Sequence, residues 1–108
     1  MNTPDHITRA QAVRSDLAPV AEALERCGCA VNLKIVSDRT LAAVLMSATF
    51  TGSPALAHKL VRDIRDVARA QGIDLDGIVC DHDDLRADQQ RIGFVCLCPA
   101  RKPSRKAA

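Results

Sequence analysis

Apolar residues recur along this chain first with a helical period and then with a strand period, and the alternation happens twice. Ile7, Ala10, Val13, Leu17, Val20 and Leu24 follow one another every three or four residues, as on one face of an amphipathic helix. Thr3-Pro4-Asp5 offers this helix a cap, a first-turn proline and an early acid. Gly28 offers its stop. Pro19 falls inside the segment, where its ring removes a backbone donor and crowds the preceding turn. The sequence therefore predicts a kink near Ser15-Asp16, or a fresh helix start there with Asp16 as cap. Beyond Gly28, Val31, Leu33 and Ile35 alternate with Asn32, Lys34 and Val36, a half-buried strand facing inward through the first set. Ser37-Asp38-Arg39 reads as a turn, and residues 40–50 as a second strand.

The same order then repeats. Ser53-Pro54 opens a second helix, with Leu56, Leu60, Ile64, Val67 and Gln71 on one face and Val61 and Ala68 beside it. Lys59/Asp63 and Arg62/Asp66 are opposite charges four apart on its other face, and Gly72 closes it. Residues 78–80 form a short third strand, the polar stretch 83–91 a loop, and residues 92–98 a fourth strand ended by Pro99. Residues 34–38 align with residues 77–81, each group following a helix that stops at glycine. The expected fold is α+β, a single small domain over residues 1–100 in the order α-β-β-α-β-β. It comprises tandem αββ units at 3–50 and 53–98. Its four-stranded, mostly antiparallel sheet carries the two main helices on one face. Residues 101–108 form a basic tail with nothing to pack and are expected to be disordered.

A sheet covered on one side normally turns polar residues to the other. The first strand does so. The second is apolar on both faces, with Leu41, Ala43 and Leu45 on one and Ala42, Val44 and Met46 on the other. The fourth carries Ile92, Phe94 and Cys96 on one face and Val95 and Leu97 on the other. An apolar outer face left in water forgoes roughly 1.5–3 kcal/mol per large side chain and usually marks an interface. We expect it to be formed by Ala42, Val44, Met46, Val95 and Leu97. It is covered either by a second protein chain or by the N-terminal segment, residues 3–15, folded over the back of the sheet. The leading functional expectation is a non-enzymatic protein–protein interaction module, a small adaptor, regulator or inhibitor, homodimeric through this face.

Composition narrows the alternatives. Two Phe and no Trp or Tyr leave an aliphatic core and little aromatic surface for stacking on bases. The formal charge of +2 is unevenly spread. Arg101, Lys102, Arg105 and Lys106 lie in the last eight residues with no acid, which leaves a body of 11 basic and 13 acidic residues, net −2. Nucleic-acid contact, the second expectation, would use that tail together with the helix arginines Arg62, Arg65 and Arg69. The third expectation is a metal-binding or thiol protein. Its ligands would come from Cys27, Cys29, Cys80, His82, Cys96 and Cys98, and zinc is the ion such a set would take. The C-x-C spacing is weaker evidence than the usual C-x2-C, and cysteine also serves as a small buried hydrophobe. His6 and His58 read as structural or solvent-facing. The acidic stretch from Asp74 to Asp88 lacks the glycine and closing glutamate of a calcium loop.

No spacing places an acid, a base and a nucleophile together, so enzymatic activity is not expected and no cofactor is required. The first 15 residues hold no apolar run of the kind a signal peptide needs. The longest run free of both charged and turn residues, 40–51, is about half a membrane span. With an odd number of cysteines, five, the expected location is the reducing cytoplasm, without membrane association.

Overall fold

The computed structural model describes residues 4–80 and 85–100. It comprises α1 (Asp5–Arg26), β1 (Ala30–Ser37), β2 (Leu41–Thr51), α2 (Pro54–Ala70), β3 (Asp76–Cys80) and β4 (Gln89–Pro99). This is the α-β-β-α-β-β order expected. The strands form one antiparallel sheet in the order β1-β2-β4-β3, so the two hairpins meet at β2 and β4. Those two strands are the longest, 11 residues each, and they pair along their whole length from Leu41↔Pro99 to Thr51↔Gln89. Both helices lie on one face.

Proline does not divide the first helix. α1 runs without a break from Asp5 to Arg26, with Pro19 inside it and exposed. The lost hydrogen bond falls on the solvent side, while Leu17, Ala21 and Leu24 remain buried against the sheet. Asp16 is therefore an interior residue and no second start occurs. The helix begins after Pro4, with no side-chain cap among the described residues; Thr3 lies outside them. Gly28 and Gly72 follow the two helices at φ 95° and 81°, a conformation that glycine adopts without steric cost. On α2 the Ser53 hydroxyl accepts from the Leu56 N–H, as its sequence signature implies.

The buried stripe of α2 is Ala57, Val61, Ile64 and Ala68, one step around the helix from the expected centre. Leu56 and Val67 stay 40% and 46% exposed beside it. The remaining core comes from Leu17, Ala21 and Leu24 of α1, from alternate residues of β2 and β4, and from Ile73 and Leu75 after α2. Leu17, Val44 and Ile92 are its largest fully buried members, each worth roughly 1.5–3 kcal/mol of burial.

The fourth strand starts earlier than hydrophobicity suggests. Gln89, Gln90 and Arg91, expected in a loop, pair with Thr51, Phe50 and Thr49. The ladder continues because β2 is long enough to offer these polar residues partners. The repeat alignment of residues 34–38 with 77–81 is one residue out of step with the sheet. Lys34 and Ile78 turn outward, whereas Gly77 turns inward against Phe94. Ile35 corresponds by side-chain direction to Val79.

Candidate functional site

Side-chain direction alternates along a strand, so the register of the sheet fixes which residues share each face. On β2, Ala42, Val44, Met46, Ala48 and Phe50 point to the helices. Ala42, Val44 and Met46 are 0%, 1% and 2% exposed. Their assignment to the outer face is thus reversed: these three belong to the core, and Leu41, Ala43 and Leu45 are the outward residues of that strand. Both sets are apolar, so the sequence of β2 alone carries no sign of which is which. On β4 the inward set is Ile92, Phe94, Cys96 and Cys98, and Val95 and Leu97 face outward as expected.

The outer face can be read rung by rung across the strands. One rung is Val36–Ala43–Leu97, and the next is Lys34–Leu45–Val95–Asp76. Asn32–Ser47–Gly93–Ile78 follows, and then Ala30–Thr49–Arg91–Cys80. Its centre is aliphatic. Val36, Leu97 and Ile78 stand 46%, 56% and 64% exposed. Gly93 leaves shallow hollows on either side of itself. One is bounded by Asn32, Lys34, Leu45 and Ser47, about 270 Å³ in volume, and the other by Asp76, Ile78 and Val95, about 250 Å³. Arg91 lies along the surface, its Nε donating to the Thr49 hydroxyl at 3.0 Å.

No described element covers this face. The N-terminal segment, offered above as a cover, is the first half of α1 and packs on the opposite side. Ala10 is fully buried in the same core as Val44 and Ile92. His6, 4% exposed, hydrogen-bonds the Asp38 carbonyl through Nε2 at 2.8 Å, and the Arg9 guanidinium donates to the Pro99 carbonyl. These contacts tie the start of α1 to the β1–β2 turn and to the end of β4. The turn is itself built around Asp38, whose carboxylate accepts from Thr40 N, Thr40 Oγ1 and Leu41 N at 2.8, 3.0 and 2.9 Å. The Thr40 backbone N–H is the main cause holding this carboxyl below its usual pKa, followed by the Thr40 hydroxyl and the Leu41 N–H.

The thiols do not converge. Cys96 and Cys98 are buried neighbours beneath the end of β4 that lies beside Ala42 and Val44. Cys80 lies at the other end of the sheet, opposite Arg91. Seven residues of β4 separate Arg91 from Cys98, about 23 Å at strand rise. Cys27 and Cys29 flank Gly28 after α1, with Cys27 exposed and Cys29 half-buried. Among the described residues no three or more His, Cys, Asp or Glu side chains are grouped as metal ligands; His82 lies outside them. Burial, with Cys98 as neighbour, pushes the Cys96 thiol up to about 11. Cys29 is also raised, chiefly by burial. Both Cys96 and Cys98 pack as small apolar side chains of the core.

On α2, Arg62, Arg65 and Arg69 are exposed, spaced three and four apart along one flank. Arg101, Lys102, Arg105 and Lys106 lie outside the described residues. His58 is exposed. Sequence reasoning missed a groove of about 420 Å³ between the helices, bounded by Pro19, Val20, Leu24 and Cys27 on one side and by Ile64 and Val67 on the other. Val67, an apolar residue beside the buried stripe of α2, is its sequence signal. No helix is long and apolar enough to cross a membrane among the described residues. No family model, curated protein or solved structure matches this chain.

Proposed function

We propose that this protein is a non-enzymatic protein–protein interaction module that self-associates through the outer face of its sheet. Its place in the cell would be that of a small adaptor, regulator or inhibitor. The observation carrying this reading is the aliphatic centre of that face, Leu41, Ala43, Leu45, Val95 and Leu97, with Val36 and Ile78 at its margins and no described element over it. Apolar surface concentrated in one patch and ringed by polar residues is the usual mark of an interface. Four strands about 4.8 Å apart and a central pair about 33 Å long give this face roughly 500–600 Å² in projection. Its accessible area is larger, because side chains stand off the sheet. That approaches the roughly 800 Å² per partner of an ordinary specific interface. Five free thiols, two of them buried in the core, suit a reducing compartment and support a cytoplasmic setting.

Light scattering coupled to size-exclusion chromatography tests the reading. The wild-type chain is expected to elute with twice the monomer mass at micromolar concentration. Leu97→Asp, a change at an exposed position, is expected to elute as a folded monomer. A wild-type chain that remains monomeric at every concentration sinks the proposal.

A second reading rests on the α2 flank. Helical spacing places Arg62, Arg65 and Arg69 on one exposed side, where they could contact phosphates together with the basic tail. Binding of short DNA and RNA duplexes at low salt, with and without residues 101–108 and with the three arginines changed to Gln, decides it. Binding that is absent, or indifferent to both changes, removes the reading.

A further inference from the structure

The outer face carries opposite charges at its two edges, and they lie on a single rung. Lys34 on β1 is level with Leu45 and Val95, and Asp76 on β3 closes the same rung on the other side. Three strand spacings separate the two, about 14 Å, too far for an ion pair within one chain. Both are exposed, and among the described residues neither has an ion-pair partner. Between them lies the aliphatic centre.

Resting on the proposed self-association, we infer that the occupant of this face is a second copy of this chain. The two copies would be related by a two-fold axis running parallel to the strands between β2 and β4. Rotation about that axis lays β1 of each copy over β3 of the other. Lys34 then meets Asp76 of the second copy, and Asp76 meets its Lys34, so one interface contains two ion pairs at opposite margins. Leu45 lies over Val95 of the second copy. Leu97, which stands 56% exposed, lies over the small Ala43 of the second copy, and Ala43 receives its Leu97 in turn. Sheets stacked in this aligned way usually cross at about −30°, which displaces the edge residues by a few ångströms and keeps long side chains such as Lys34 within reach.

The alternative face-to-face dimer has its axis across the strands. Size alone permits it, because Leu97 would then seat in the hollow at Gly93. Charge selects against it. That axis sets β1 on β1 and β3 on β3, so Lys34 faces Lys34 and Asp76 faces Asp76. Like charges brought together at an interface are a strong specificity element, whereas complementary ones fix register. The arrangement with the axis along the strands is the self-complementary one.

Two measurements test it. The first is equilibrium sedimentation of wild type, Lys34→Glu, Asp76→Lys and the double variant at low ionic strength. Each single variant sets like charges against each other at both margins and is expected to dimerise at least about tenfold more weakly. The double variant restores opposite charges and is expected to return to near the wild-type constant. The second uses the unaltered protein. A zero-length carbodiimide is added to a mixture of unlabelled and 15N-labelled chains, followed by peptide mass spectrometry. It is expected to join Lys34 to Asp76 between chains of different label. Single variants that associate as tightly as wild type, or a dimer in which Lys34 is never joined to Asp76, overturn the axis and leave the shared face standing. A chain that does not dimerise at all overturns the face itself.

Discussion

Gly77 sits in β3 with its hydrogen pointing into the core, and replacing that hydrogen with a methyl group probes how closely this edge strand is packed. A Cβ there would lie 2.8 Å from both Cδ1 and Cε1 of Phe94 and 3.0 Å from Cγ1 of Val61. Ordinary carbon–carbon contact is about 3.5–4.0 Å, so strand or ring must give by about 0.7 Å or more. Neither has room, since Phe94 is 4% exposed and Val61 8%. Overpacking of this kind costs about 1–3 kcal/mol. The change from glycine in a strand returns about 0.5–1 kcal/mol of backbone entropy. The net loss expected for Gly77→Ala is therefore about 0.5–2 kcal/mol, a fall in Tm of several degrees, given about 4–8 °C per kcal/mol in a domain near this size. Thermal melts at one fixed protein concentration measure it. A double-mutant cycle ties the loss to its cause: in a Phe94→Leu background the same substitution should cost less, because the ring edge has gone and only the Val61 contact remains. Gly77→Ala melting at or above the wild-type temperature would refute this account of β3. So would an equal loss in both backgrounds.

Three further outcomes are expected. Met46→Ala should lower the urea midpoint by the equivalent of about 2–5 kcal/mol, since Met46 is 2% exposed within the core; an unchanged midpoint would return this residue to the outer face. Asp38→Asn should destabilise the chain at neutral pH, and the difference from wild type should shrink on acidification. The folded carboxyl is held below its ordinary value of about 3.9, so its contribution is complete above that pH and is lost as pH falls through the depressed folded value. Acid titrations of the two proteins that stay parallel would contradict it. In the folded protein at pH 8, iodoacetamide should modify the exposed Cys27 first and leave Cys96 and Cys98 intact until urea is added. Early labelling of Cys96 by mass spectrometry would count against a thiol raised by burial.

Much of the architecture is legible in residue order. The period of α2, the glycines after each helix and the alternation in β1 are local signals that tertiary packing merely uses. The failures have a common physical origin in partners that local sequence does not name. Pro19 is tolerated because its side of α1 faces water, which depends on where the sheet lies. Gln89, Gln90 and Arg91 join β4 because Thr51, Phe50 and Thr49 wait opposite. The inward face of β2 is the hardest case. Ala42, Val44 and Met46 are as apolar as Leu41, Ala43 and Leu45, and only the direction in which β2 leaves the Asp38 turn decides between them. An apolar second face was therefore readable from the sequence, but its membership on β2 was not. The charge relation between Lys34 and Asp76 was still less accessible, since the residues are 42 positions apart and share a rung only through two intervening strands.

Isotope-filtered NMR on a mixture of 13C-methyl-labelled and unlabelled chains examines the outer face most directly. The account predicts intermolecular contacts at the Leu45, Val95 and Leu97 methyls and none at Val44, Met46 or Ile92. Intermolecular contacts confined to the helices, or none at any methyl at millimolar concentration, would contradict it.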